Sequence, residues 1–185
     1  YSYLWSNAAT TQNISGVTNG TYTVTVTDSK GCTATTSATV TQPAAALAVS
    51  VSSTTNVSCF NGNDGAINIT TTGGTTPYTY NWGGGITTQN RTNLAAGTYN
   101  VTVTDNKGCT AAASATIAQP AAALNVTIAA STNVSCNGGS NGTINTTVTG
   151  GTKAYSYNWG GGVTTPNRTS VTAGTYTLTA TASQM

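Results

Sequence analysis

The sequence has no histidine, three acidic and five basic residues among 185, and a single methionine and phenylalanine. Each shortage removes a class of function. Asp28, Asp64 and Asp105 are the only carboxylates, so general acid–base chemistry, which needs positioned ionisable groups with tuned pKa values, has almost nothing to work with. A paired-carboxylate hydrolase would need two acids at one pocket, and each repeat offers two at most. Without His and without a C-x-x-C spacing there is no conventional zinc set. The cations Lys30, Arg91, Lys107, Lys153 and Arg168 are dispersed singly, whereas nucleic-acid binding draws on clustered charge. The longest apolar run, Ala44 to Val49, is far short of the roughly 20 residues of a membrane-spanning helix. No signal peptide precedes Tyr1-Ser2-Tyr3, which already has a strand pattern, so the natural polypeptide is expected to continue upstream. These absences predict a chain that is not an enzyme, holds no cofactor or metal, and contacts neither nucleic acid nor a bilayer through a span.

Threonine fills the gap left by charge. It occupies 43 positions, while charged residues make up 4% against roughly 25% in an average soluble domain. Threonine is β-branched and favours strands, and its hydroxyl keeps an outward face wet without charge. Val, Ile and aromatics recur at regular places, an order that disordered low-complexity segments lack.

The order is a gapless repeat of 77 residues. Trp5, Trp82 and Trp159 are 77 apart, as are Cys32 and Cys109, and Cys59 and Cys136. Residues 1–43 laid on 78–120 give 25 identities. The chain divides into the C-terminal part of a repeat (1–43), a complete repeat (44–120), and a repeat lacking its last strand (121–185). In the complete copy, turn signals separate six candidate strands: Leu47–Ser58, Ala66–Thr72, Pro77–Trp82, Ile86–Leu94, Thr98–Asp105 and Thr110–Ala118. Period-two alternation puts Ile67, Ile69 and Thr71 on one face, Tyr78, Tyr80 and Trp82 on another, and Tyr99, Val101 and Val103 inward. Gly83-Gly84-Gly85 is expected to turn the third strand back into the fourth. The fold class is therefore all-β, a tandem of small sandwiches forming an extended rod. The core aromatics are expected to be Trp5, Trp82 and Trp159 with Tyr22, Tyr99 and Tyr176.

Several segments resemble the SprB-type repeat of Bacteroidota gliding and surface adhesins, itself similar to PKD- and immunoglobulin-like sandwiches. They are Asn56-Val-Ser-Cys59, Asn63-Asp-Gly65, Gly73-Gly74 with Pro77-Tyr-Thr-Tyr-Asn-Trp82, Thr87-Thr-Gln-Asn90, Ala96-Gly-Thr-Tyr99, and Val101 to Cys109. The third copy departs at Asn141 (in place of Asp64), at Ala154 (in place of Pro77), and over Ala182–Met185, which abandons the Asp-Asn-Lys-Gly turn. The resemblance implies a very large cell-surface protein, exported by type IX secretion, whose tandem repeats form an extended filament used in gliding motility and adhesion.

Candidate sites are few. The loop Asn61-Gly-Asn-Asp-Gly65 has alternating oxygen donors but one carboxylate, and its third-copy counterpart has none. A structural turn is expected there rather than a calcium site. Asp28 and Asp105 stand in Asp-x-Lys-Gly turns and are expected to bond their own backbone. Asn-x-Ser/Thr matches at Asn13, Asn56, Asn68, Asn90, Asn133 and Asn167 arise readily in a chain this rich in Asn and Thr. The four cysteines suggest structural disulfides in an extracellular setting. One pairing closes the module, Cys59 to Cys109, leaving Cys32 and Cys136 to partners outside the chain; its 50-residue loop would contribute about 4 kcal/mol. The other joins Cys32 to Cys59 and Cys109 to Cys136. Strict six-strand alternation favours the first, because it places the loop after the first strand and the last hairpin at one end. Expected partners are neighbouring repeats or chains of a filament. Surface glycans are the alternative, should the tryptophans form an exposed platform.

Overall fold

The computed structural model describes residues 1–183. Among them are fourteen strands: β1 (Ser2–Trp5), β2 (Gly20–Thr27), β3 (Thr33–Val40), β4 (Ala48–Thr55), β5 (Gly65–Thr72), β6 (Thr79–Asn81), β7 (Arg91–Leu94), β8 (Gly97–Thr104), β9 (Thr110–Ile117), β10 (Asn125–Thr132), β11 (Gly142–Thr149), β12 (Tyr155–Asn158), β13 (Arg168–Val171) and β14 (Thr179–Ala182). The middle module, β4 to β9, is a sandwich of two three-stranded sheets, ordered β4-β5-β7 and β6-β8-β9. All of its ladders are antiparallel. The immunoglobulin plan has sheets ABED and CFG; this module is that plan without strand D.

The alternation read from the sequence sets which side chains pack. Val101 and Val103 of β8 are buried, and Thr98, Asn100 and Thr102 face solvent. Ile67 and Ile69 face them from β5, and Val57, Leu94, Ala115 and Ile117 complete an aliphatic core. The tryptophan and tyrosines occupy its rim. Tyr78, Tyr80, Trp82 and Tyr99 are half-buried and packed against the core. The expectation of an aromatic-centred sandwich is thus corrected to an aliphatic centre with an aromatic rim. Each ring carries a polar tip that needs a partner, and the rim lets that tip reach backbone carbonyls.

The fourth expected strand is also corrected. Only Arg91–Leu94 is strand, and it runs in the same direction as β6: β7 ends beside Gly65 at the start of β5, β8 starts there too and runs as β5 does, and β6 is antiparallel to β8 as β7 is to β5. β6 and β7 form one passage that changes sheets halfway, through the loop 82–90. Side chains hold this crossing in place of a ladder. Asn90 Oδ1 accepts from Ile69 N at 3.0 Å, and Gln89 Nε2 donates to Ile69 O at 3.0 Å. The consequence is directional. The chain crosses the module five times, so it enters at one pole and leaves at the other. Val57 N donates to Ala118 O at 2.9 Å, which places the end of β4 beside the end of β9 at the exit pole.

The outer modules follow the same plan. β1, β2 and β3 form one sheet in the order of β6, β8 and β9. In the third module β10, β11 and β13 pair as β4, β5 and β7 do, while β12 pairs with β14. Here the counterpart of β8 is regular only over Thr179–Ala182. In the middle module β9 pairs with β8 along its whole length, and no such neighbour lies along Thr175–Leu178 among the described residues.

Ile67 is fully buried between the sheets. Ile67→Ala is expected to destabilise the middle module by about 2–5 kcal/mol, combining lost transfer energy with a residual cavity. Urea unfolding followed by tryptophan fluorescence measures this.

Candidate functional site at the module junctions

The poles carry most of the residues that the sequence singles out. At the entrance to the middle module, Gly74 N donates to Ala45 O at 2.9 Å. Gly73 and Gly74 both have positive φ, and a Cβ on Gly73 would lie 1.9 Å from Ala46 O. The linker backbone therefore lies directly on the glycine pair, an approach closed to any residue with a side chain. The next junction repeats the device: Gly151 N donates to Ala122 O at 2.9 Å, and a Cβ on Gly150 would lie 1.9 Å from Ala123 O. The Ala-rich linkers are docked strands of backbone, not free tethers.

Asp105 fastens the same pole. It is buried, and its carboxylate accepts from Thr75 N at 2.8 Å, Lys107 N at 2.9 Å and Cys109 N at 2.9 Å. The amide of Thr75, joined by those of Cys109 and Lys107, holds the carboxyl below the usual carboxylate range, against the opposing effect of burial. Asp28 makes the equivalent turn bonds to Lys30 N and Cys32 N, each at 2.8 Å. At the exit pole Asp64 accepts from the hydroxyl of Ser58 and from Ser58 N at 3.0 Å, and these bonds lower its pKa. In the third module Asn141 bonds Ser135 N at 3.0 Å and Ser135 Oγ at 2.8 Å. An uncharged amide thus holds the same turn as the carboxylate, accepting from Ser135 N and donating to Ser135 Oγ where Asp64 accepts from the Ser58 hydroxyl.

The polar tips of the rings are bonded alike in every copy, although Trp159 is itself buried where Trp5 and Trp82 are half-buried. Trp5, Trp82 and Trp159 donate Nε1–H to Thr11, Thr88 and Thr165 O, each at 2.9 Å. Tyr22, Tyr99 and Tyr176 donate O–H to the carbonyls of Thr18, Ala95 and Thr172 at 2.9–3.0 Å, the tyrosine-corner contact of immunoglobulin-like domains. Sequence reasoning missed the arginines, which were read only as scattered charge. Arg91 lies over the rings of Trp82 (5.8 Å) and Tyr99 (5.0 Å), and Arg168 over Trp159 (5.9 Å) and Tyr176 (4.7 Å). The signal available was the 77-residue spacing of Arg91 and Arg168. Three asparagines from glycosylation matches also serve the fold: Asn56, Asn90 and Asn167 each accept from a backbone N–H at 2.8–3.0 Å.

The preferred cysteine pairing is overturned. Cys32, Cys59, Cys109 and Cys136 are all free and exposed. Asn61 N, in the loop of Cys59, donates to Gln119 Oε1 at 2.8 Å, which sets that loop at the exit pole. Cys109 precedes β9 at the entrance pole. The eight residues of β9 between the poles span about 26 Å at ~3.3 Å per residue, whereas a disulfide needs Cα atoms within roughly 7 Å. Strict alternation fails because β6 and β7 run the same way. The pairs Cys32–Cys59 and Cys109–Cys136 fail as well, since each combines an entrance pole with the exit pole of the following module.

Three outcomes follow. Gly73→Ala is expected to free the linker while the module stays folded, seen as faster proteolysis at 44–47 and a broader small-angle scattering profile. Arg91→Ala is expected to lower stability by about 0.5–1 kcal/mol, with only partial recovery in Arg91→Lys because the flat guanidinium stacks on the rings; thermal unfolding measures both. Because the Asp105 pKa is depressed in the fold, its contribution is present above the unfolded carboxylate value near 4 and lost as pH falls through the folded one. The melting temperature of the native chain should fall below about pH 4, and Asp105→Asn should lower it at pH 7 and flatten that dependence.

Comparison with known proteins finds one matching family model. The sequence profile of the SprB repeat matches residues 51–87 and 128–164, which run from β4 to the tryptophan loop of the middle module and over the same stretch of the third. Among curated proteins none matches. Two solved structures are similar at low level. One is the N-terminal eight Ig domains of the Down syndrome cell adhesion molecule, at 18% identity over 77% of this chain and 19% of that one, with a TM-score of 0.36. The other is a tetra-tandem repeat from the extending region of a large adhesion protein, at 19% identity over 94% of this chain and 50% of that one, with a TM-score of 0.26. The chain spans about a fifth and a half of their lengths. Two copies of one profile, 77 residues apart, thus lie on the middle and third modules, and the chain carries two segments similar to the SprB repeat.

Proposed function

We propose that the chain is a length of stalk from a bacterial cell-surface adhesin, exposed outside the cell, whose task is mechanical continuity. The observation that carries this reading is the junction geometry. The chain enters each module at one pole and leaves at the other, and the next linker is hydrogen-bonded onto a glycine pair. Such modules stack axially, and force applied at the ends passes along strands and docked linkers. The two matches to the SprB repeat support the surface setting and the adhesin role. Type IX export and a part in gliding belong to the same proposal and rest on the family resemblance.

The arrangement of the aromatic rim fits a stalk better than a sugar-binding array. Each indole N–H is bonded internally, and Arg91 and Arg168 cover ring faces that a sugar would need. The uncharged threonine faces give little protection against lateral strand pairing, so neighbouring chains of a filament are the proposed partners.

Electron microscopy or small-angle scattering should show a rod lengthening by about 30–35 Å per added module. Globular particles whose length is independent of module number would overturn the stalk reading.

A further inference from the structure

We propose that the middle module is closed against tension by a clamp between its first and last strands, and that Asn56 and Gln119 set the force at which it opens. β4 and β9 carry the chain into and out of this module, and both run from the entrance pole to the exit pole. Beyond their ends the two backbones meet, with Val57 N donating to Ala118 O at 2.9 Å. Two side chains complete the contact. Ala118 N donates to Asn56 Oδ1 at 2.9 Å, and Asn61 N donates to Gln119 Oε1 at 2.8 Å. Ile117, fully buried, seats against Gly65, where a Cβ would lie 2.8 Å from its Cγ2. Pro120, itself buried, follows Gln119 directly. A pull arriving along the outgoing linker therefore reaches these three bonds first.

Direction decides how the bonds are loaded. Tension draws the start of β4 towards one pole and the end of β9 towards the other. Neighbouring strands that point the same way then slide past each other, and the bonds between them stretch together instead of opening one after another. The ladders resist the same pull more strongly. β4 is joined to β5 by seven residue pairs and β9 to β8 by eight, and each ladder would have to shear as a whole. β4 and β9 lie in different sheets, and no ladder joins them among the described residues. The three bonds at the exit pole are thus the fewest that must break before the sheets slide, and they fix the yield point. Both side chains belong to the repeat, since Asn56 recurs as Asn133 and Gln119 as Gln42. The clamp rests on the pole-to-pole passage that also underlies the stalk reading, but the two are tested by different measurements.

The test is force spectroscopy on the full 185-residue chain held at its two ends. The middle module is recognised by the contour it releases, about 3.6 Å for each of its 77 residues. Asn56→Ala and Gln119→Ala should each lower its rupture force by about a third, the share of one bond among three of comparable worth. Asn90→Ala is the control. It removes a similar bond, from Ile69 N at 3.0 Å, on the side of the module away from β4 and β9. It should lower stability to urea while leaving the rupture force unchanged. An equal loss of force in all three variants, or in none, overturns the clamp. Should an asparagine variant not fold, Gln119→Ala decides alone, a fall in rupture force supporting the clamp and an unchanged force overturning it. A chain that scatters as a rod yet ruptures at unchanged force in Gln119→Ala sinks the clamp and leaves the stalk standing. Globular particles with a lowered rupture force give the reverse.

Discussion

The form of this molecule depends on one crossing, the passage of residues 82–90 from one sheet to the other without a change of direction. Trp82 N bonds Ile86 O, Trp82 Nε1 bonds Thr88 O, and Gln89 and Asn90 take the two backbone groups of Ile69. A full strand D would need its own ladder and its own apolar face. The crossing replaces it with four hydrogen bonds and a half-buried indole. With that strand gone the number of passages stays odd, so the exit lies opposite the entrance. The separation of the two cysteine loops is one consequence, and the axial stacking we propose rests on the same geometry.

A chain with so little charge must satisfy its polar groups by other means. Buried or half-buried backbone groups need partners, and here amides and hydroxyls supply them. Asn56, Asn90 and Asn167 bind backbone N–H groups, the tryptophans and tyrosines bind carbonyls, and Asp105 gathers three amides at one pole. Those of Asn90, the tryptophans and the tyrosines recur at 77-residue intervals, and they fix loops and poles more than the sheets. The aliphatic core supplies the burial, and the polar side chains decide where the backbone goes between strands.

The junctions extend this economy. At both junctions a glycine pair lets the linker carbonyls sit on the module backbone. Asp105 braces the turn beside the first pair, and the exit loop Ser58–Phe60 lines a cleft at the second.

Much of this was legible in the residues. The 77-residue spacing, the alternation in Ile67–Thr71 and Tyr99–Val103, and the turn chemistry at Asp105–Gly108 specified tandem all-β modules, because side-chain period and turn propensity are local properties. The shortage of ionisable groups limited the chemistry on the same local ground. Other features were decided only by tertiary structure. Whether Gly83–Gly85 reverses the chain depends on hydrogen bonds between Gln89, Asn90 and Ile69, about twenty residues apart in sequence. Whether the tryptophans sit at the centre or on the rim depends on where their N–H groups find carbonyls, and on an arginine reaching over them. The pole to which each cysteine belongs follows from the same count of passages. Alternation tells which face a side chain takes, but the direction of the next strand is set by contacts that exist only once the two sheets have met.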